Sequence, residues 1–346
     1  MSELLAIDGL SVNFRQPGWR KPPVSAVDNV SFSIAAGETV GLAGESGSGK
    51  STIGRCILGL TKPSAGKIFF DGQDISRVGR RRRRRMAADI QAVFQDPYSS
   101  LNPARSIRQS LREPLQAGRG FSKSAADQEI ERLLECVGLP GDAADRYPNE
   151  FSGGQRQRIG IARALAPSPR LLICDEPVSA LDVSTQAQIL NLLAELQSSF
   201  QFAMLFIGHD LSVIRHISDR VVVPYQGQIM EMGATEQVCL RPAHPYTQAL
   251  VASSPVPDPI LQRDRRVQRL ASISTNSSAG IGQTAKVGCP FAPRCAHASQ
   301  VCWAVRPKKL STHGITLACH MYDPDSGHPE LWTPEAASDQ IEHDRS

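Results

Sequence analysis

The chain has 346 residues, 41% apolar and 21% charged, and a net charge of +4. That length suits two domains, or one large domain with an extension, and the composition excludes a disordered chain. The weak positive balance makes no case for a nucleic-acid partner, and no run approaches the roughly 20 apolar residues that a membrane-crossing helix needs.

The first residues lack a basic segment followed by a long apolar run, so no secretory leader is expected and the chain is expected to stay in the cytoplasm. Val27, Val30, Phe32 and Ile34 partly alternate with polar residues and read as strand, turning at Gly37-Glu38. Residues 39–43 form a short apolar strand that runs into a glycine-rich loop. A helix is expected over 51–60, closed by Pro63, and a strand over 67–70 that turns at Asp71-Gly72. The arginine run 80–85 is expected to be a solvated face, because six cations cannot be buried. Contact with anionic lipid is its sharper alternative.

From 97 to about 166 helical periods dominate. The segment 125–137 is amphipathic, with Ile130, Leu133, Leu134 and Val137 on one face. Strand-like runs return at 171–174, 203–207 and 220–223, with helices between them. Strands alternating with helices predict a mostly parallel sheet carrying a helical insertion. From about residue 241 the pattern dissolves into prolines, serines and cysteines, and after about 323 a flexible polar tail is expected. No internal repeat is present, so one nucleotide-binding unit is encoded.

Gly44-Glu45-Ser46-Gly47-Ser48-Gly49-Lys50-Ser51 fits the P-loop pattern. Its glycines let backbone N–H groups turn inward, and the following helix N-terminus adds donors for phosphate oxygens. Lys50 is expected to reach the β- and γ-phosphates of ATP and Ser51 to bind Mg²⁺, with Thr52 beside them. An apolar strand carries Asp175 and Glu176 to the carboxyl edge of the sheet, where nucleotides bind in open α/β sheets. Asp175 is then a Mg²⁺ holder, and Glu176, one residue on, the base that polarises water. Alone, an Asp-Glu pair after a strand is usually a solvated loop; the P-loop decides for function. Ser152, Gly153, Gly154 and Gln155 have capping-box spacing at a helix start. The two glycines read as leaving that helix end bare for another chain's phosphate, although alone the segment is an ordinary helix start.

With this segment, residues from about Leu4 to Gly233 resemble the ABC ATPase family. Phe151 to Gln155 matches its signature motif, with Phe151 where Leu is usual. The resemblance implies further roles. Gln95 is the Q-loop glutamine, sensing Mg²⁺ and the attacking water and coupling the helical insertion to a transmembrane partner. Asp182 lies in the D-loop, and His209 is the switch histidine at the γ-phosphate. Phe14 stacks on adenine, with Trp19 in the same insert and a buried core Phe as the plainer alternatives. The implied fold is α/β: a RecA-like P-loop NTPase cassette with an antiparallel β subdomain, a helical subdomain over about 97–166, and an irregular cysteine-containing extension. Cassettes of this kind work in pairs, one P-loop and one signature segment sandwiching each ATP.

Arg241-Pro242-Ala243-His244-Pro245-Tyr246-Thr247-Gln248-Ala249-Leu250 resembles the extension of dipeptide, oligopeptide and nickel importer ATPases. Val256-Pro257-Asp258-Pro259 and the stretch from Gly288 to Cys295 continue that resemblance. The implied organisation is a cassette over 1–240, an extension over 241–323 and a tail over 324–346. The implied partners are a second ATPase subunit, two transmembrane permeases and an extracytoplasmic solute-binding protein, with no nucleic acid. The implied place is the cytoplasmic face of the bacterial inner membrane. A non-transport ABC ATPase acting on the ribosome or DNA is the alternative.

Eight cysteines are present; Cys56, Cys136, Cys174 and Cys239 are scattered, while Cys289, Cys295, Cys302 and Cys319 fall together. A reducing cytosol argues against disulfides among the four. Four thiolates can hold an iron–sulfur cluster or a tetrahedral zinc. Some members of the resembled importer family carry a [4Fe–4S] cluster at matching cysteines, which places that cluster ahead of Zn²⁺. His297 and His320 lie near enough in sequence to substitute.

Overall fold

Alternation in the opening segment produces two long strands. The computed structural model describes residues 3–16, 22–96, 101–253, 287–312 and 314–332. The chain divides into two units, Met1–Val40 with Ser51–Ile207, and Gly41–Lys50 with Gly208–Ser346. In the first unit β1 (Glu3–Phe14) pairs antiparallel with β2 (Val24–Ala35), burying Leu5, Ile7, Leu10 and Val12 with Val27, Val30, Phe32 and Ile34. β3 (Thr39–Ala43) is buried throughout and carries the chain into the second unit. α1 (Lys50–Ile57) follows, then β4 (Ala65–Phe70) and β5 (Gln73–Asp74), completing a sheet of order β2-β1-β4-β5.

α1 ends three residues before the expected 60. Gly59 takes φ +72°, its N–H donates to Cys56 O, and Leu60 N–H donates to Arg55 O. That double bond is the Schellman stop, which a glycine makes easy. The arginine run forms α2 (Arg80–Met86), and it departs from the expectation at one position. Five of the six are exposed, but Arg83 turns inward, donating to Ile57 O at 2.9 Å and Ile75 O at 3.0 Å. A cation on the last carbonyls of α1 complements its dipole, so Arg83 is a helix cap.

β6 (Ile90–Val93), β7 (Leu171–Asp175) and β8 (Ala203–Gly208) run parallel with β7 in the middle. Their near-continuous apolar sequences are what a sheet covered on both faces requires. Between β6 and β7 come α3 (Ile107–Arg119), α4 (Lys123–Cys136) and α5 (Gly153–Leu165), and α6 (Val183–Phe200) joins β7 to β8. Ser106 caps α3 in a capping box and Gly120, in the left-handed region, stops it. Ser122 caps α4, which therefore starts two residues before the apolar pattern, with Ile130, Leu133 and Leu134 buried as expected.

In the second unit α7 (Leu211–Ile217) leads to β9 (Arg220–Tyr225) and β10 (Gln228–Ala234). Gln226 and Gly227 both have positive φ, the tight turn that matches strand twist in a hairpin. α8 (Thr235–Leu240) and α9 (Pro245–Ser253) follow, then α10 (Gln300–Ala304), β11 (Leu310–Thr312) and β12 (Ile315–Leu317). The strand order is β11-β12-β10-β9. The dissolution expected from 241 is thus only partial, because short elements with no hydrophobic period are tied in by backbone bonds. The segment expected to be a loose tail after 323 is ordered as far as residue 332. Trp332 N–H donates to Met321 O at 2.7 Å, and His328 is buried. Trp19, Val256-Pro257-Asp258-Pro259 and residues 333–346 lie outside the described residues. No described helix is long and apolar enough to cross a membrane.

Candidate functional site

Residues 44–50 of the P-loop pattern belong to the second unit. Gly47 and Gly49 take φ +81° and +101°, which residues with a Cβ rarely adopt. Lys50 is buried, and its Nζ donates to Gly44 O at 2.6 Å, Glu45 O at 2.8 Å and Ser48 Oγ at 3.3 Å. Three acceptors match the three donors of an ammonium group. Glu45, Ser46 and Gly47 are exposed at the loop's rim. His209 is exposed after β8, and the next residue, Asp210, caps α7 by accepting Ser212 N–H at 2.8 Å.

The acids belong to the first unit. Asp175 ends β7, and Ser51 Oγ donates to its Oδ1 at 2.9 Å. The hydroxyl and carboxylate singled out for Mg²⁺ therefore meet. Glu176 has φ +49°, rare for a residue with a side chain, and its N–H donates to Ile207 O at 3.0 Å. A positive φ at a residue with a side chain is the kind of strained position that clusters at functional sites. Thr52 is half-buried in α1. Gln95, exposed after β6, follows Phe94, which lines a groove of about 530 Å³ with Leu60, Met86, Pro114 and Arg163. Phe14 is 47% exposed, so it is not the buried core Phe of the plainer reading.

Ser152 caps α5 in the expected box: its Oγ accepts Gln155 N–H at 3.3 Å and its N–H donates to Gln155 Oε1 at 3.0 Å. Gly154 also has a packing role that the sequence did not signal. A Cβ there would meet Thr185 Cγ2 at 2.4 Å, so this glycine is required by packing. Thr185 is itself fixed by Asp182, whose Oδ1 accepts its N–H at 2.9 Å and whose Oδ2 accepts its Oγ1 at 2.8 Å. Those bonds, the backbone one foremost, hold the Asp182 carboxyl below the usual range. Gly153 precedes Gly154 in the first turn of α5 and is half-buried. Phe151 is buried with the Arg146 guanidinium 4.5 Å from its ring centroid, a cation–π contact that Leu cannot make.

Cys289, Cys295, Cys302 and Cys319 line one cavity of about 20 Å³, with His244 and His320 also in its wall. Cys289 N–H donates to Cys302 O at 2.8 Å. Burial pushes the Cys289 thiol up to about 11 and the Cys295 thiol up to about 12, and raises that of Cys319 as well. The four are thus brought together as expected, but among the described residues no three His, Cys, Asp or Glu side chains are grouped to hold a metal ion.

Three residues of the second unit were missed from sequence. Tyr246 Oη accepts Glu45 N–H at 2.9 Å. Arg294 grips the Glu45 carboxylate with both terminal nitrogens, at 2.7 and 2.9 Å. Glu231, fully buried in β10, accepts Ala243 N–H and His244 N–H, each at 2.9 Å. The local sequence signals none of these contacts, which join residues far apart in the chain or across a turn.

Comparison with known proteins sets the class. Residues 27–179 match the ABC transporter family and residues 230–302 match the oligopeptide/dipeptide transporter C-terminal region. The dimeric ATP-binding cassette MJ0796, in a post-hydrolysis state bound to ADP and Pi, aligns with a TM-score of 0.60 at 29% identity, covering 67% of this chain and 98% of that one. Fold and site together define an ABC-type ATP-binding cassette. The oligopeptide transport ATP-binding protein AppF of Bacillus subtilis (strain 168) is 48% identical over 301 residues, 86% of this chain and 90% of that protein. OppF of Salmonella typhimurium, also an oligopeptide transport ATP-binding protein, is 43% identical over 328 residues, 93% of this chain and 97% of that protein. This chain belongs to the ABC transporter family, in its branch of oligopeptide transport ATP-binding proteins.

Proposed function

We propose that this chain hydrolyses ATP to drive import of peptides, or of a related solute such as a nickel chelate, across the cytoplasmic membrane. The observation that carries the ATPase reading is the Ser51–Asp175 contact, next in sequence to Lys50 in its loop. A hydroxyl and a carboxylate are hard oxygen donors of the kind Mg²⁺ takes. Ser51, Asp175 and Gln95 would hold that ion, which when bound neutralises charge on the β- and γ-phosphate oxygens. Gly44 to Lys50 bind phosphate, Thr52 supports them, and Phe14 offers an exposed face to adenine. Glu176 accepts a proton from the attacking water, and His209 contacts the γ-phosphate. Ser152, Gly153, Gly154, Gln155 and Asp182 serve the ATP of a second cassette. The chemistry is positioning and electrostatics, with little covalent work for the protein.

The partners are that second cassette, two permeases and an extracytoplasmic binding protein, with the chain peripheral on the cytoplasmic face of the inner membrane. The groove next to Gln95 supports permease docking there, because a segment seated in it would press on the Q-loop. The match of residues 230–302 to the oligopeptide/dipeptide transporter C-terminal region favours transport over a ribosome or DNA role. The division at 240 remains our reading of the domains, although β10 and β12 pair across it.

In the assembled transporter, Glu176→Gln should lower ATP turnover by about 100-fold or more while MgATP binding persists. Turnover at the wild-type rate would remove Glu176 from the base role.

Four thiols around one cavity are the donor set of a [4Fe–4S] cluster or of a tetrahedral zinc, and the resemblance to the importer family places the cluster first. Anaerobic purification should yield a brown protein with about four irons and four sulfides per chain. Colourless protein free of iron overturns the cluster, and a single zinc per chain in it establishes the alternative.

A further inference from the structure

We infer that Tyr246 and Arg294, both in the C-terminal extension, are positioning residues that hold the phosphate-binding loop in its ATP-ready shape and so tune the affinity for MgATP. The inference rests on the reading of residues 44–51 as the ATP site.

The loop is tied in two ways. One set of ties is internal: Lys50 Nζ bonds the carbonyls of Gly44 and Glu45. Those bonds compete with the phosphates, because the same ammonium group is needed there and it has only three donors. When Lys50 turns to phosphate, the Gly44-Glu45 corner loses its internal anchor. The other ties come from the extension and do not use the Lys50 ammonium group. Tyr246 Oη accepts Glu45 N–H, and Arg294 grips the Glu45 carboxylate bidentately, the geometry that makes Arg–carboxylate pairs specific. At Gly44 a Cβ would meet Pro224 O at 2.7 Å and Tyr246 Oη at 3.3 Å, so this corner lies tight against its support.

The supports are themselves fixed. Tyr246 is fully buried, its N–H donates to His244 Nδ1 at 3.0 Å, and its ring lies 4.6 Å from that of Tyr225 and 5.4 Å from that of Phe291. His244 is held in turn by the Glu231 carboxylate. The Arg294 guanidinium lies 5.5 Å from the Phe291 ring centroid and 5.8 Å from that of Tyr225. Arg294 also immediately precedes Cys295, so the loop that shapes the cysteine cavity carries the residue that grips Glu45. The His-Pro-Tyr stretch and the cysteine-bearing loop thus converge on one P-loop residue.

The test uses the full chain assembled with its permeases, with kcat and KM for MgATP measured for Tyr246→Phe, Arg294→Met and Arg294→Lys. Tyr246→Phe keeps the ring and removes the acceptor; Arg294→Met keeps much of the apolar stem and removes the fork. Each should raise KM about three- to tenfold with kcat within about twofold, the loss expected for one hydrogen-bonded tie. Arg294→Lys should recover only part of the loss, because an ammonium group cannot make the bidentate contact. In a Glu45→Gln background Arg294→Met should have little further effect. A general structural fault would lower the melting temperature and the amount of active complex, and would not depend on Glu45. Wild-type KM in both Tyr246→Phe and Arg294→Met overturns the inference, as does an undiminished Arg294→Met effect in the Glu45→Gln background. A wild-type chain with no saturable MgATP binding sinks the ATP reading itself, and this inference with it.

Discussion

Glu231 shows how far one side chain can depart from its solution chemistry. Full burial pushes its carboxyl from the ordinary 4.5 up to about 7, against the opposing pull of the Thr247 hydroxyl and the Ala243 and His244 N–H donors. Between those two pH values the folded chain holds a proton that the unfolded chain has released. Stability therefore falls as pH rises from about 4.5 to about 7 and levels off above, by linkage. Thermal melting across that range should show the slope in the wild type and a flatter profile in Glu231→Gln. An unchanged slope in the variant would assign the pH dependence to other groups. The residues proposed for ATP chemistry were legible in the sequence because phosphate chemistry needs particular side chains at fixed short spacings. Glu231, Tyr246, Arg294 and Arg83 were not, because each owes its role to partners that folding, and no local pattern, brings within reach.

Among the elements, the α5–α6 pair carries the sharpest constraint. The signature helix and the helix after the D-loop meet at Gly154 and Thr185, and the same Thr185 is clamped by Asp182. Gly154→Ala should lower stability by about 1–3 kcal/mol, as overpacking does. Adding Thr185→Ser deletes the clashing methyl while keeping the hydroxyl bond, and should restore most of the loss in a melting experiment. No recovery would mean that the glycine is needed for its backbone and not for its lack of a side chain. Strands and the amphipathic helix α4 were readable because their period survives in the sequence. The early stop of α1 was not, since it depends on how Gly59 bends and on Arg83 arriving from α2. Likewise β11 and β12 are too short to show a period, and they exist because β10 offers them a partner.

At the scale of the whole molecule, the residues proposed for ATP chemistry fall in both units: Ser51, Asp175, Glu176 and Gln95 belong to the first, and residues 44–50 with His209 to the second. The antiparallel pairing of β12 with β10 has a consequence for trimming the chain. Glu231 and Met232 pair with Leu317 and Thr316. A truncation that kept the cassette and discarded everything beyond residue 240 would bare a row of amide and carbonyl groups on one flank of β10. It would also strip away the Ala243 and His244 donors that satisfy a carboxylate with no other route to water. Open strand flanks recruit copies of themselves, so the shortened protein would be prone to stick to its own kind, and the extension would guard against clumping.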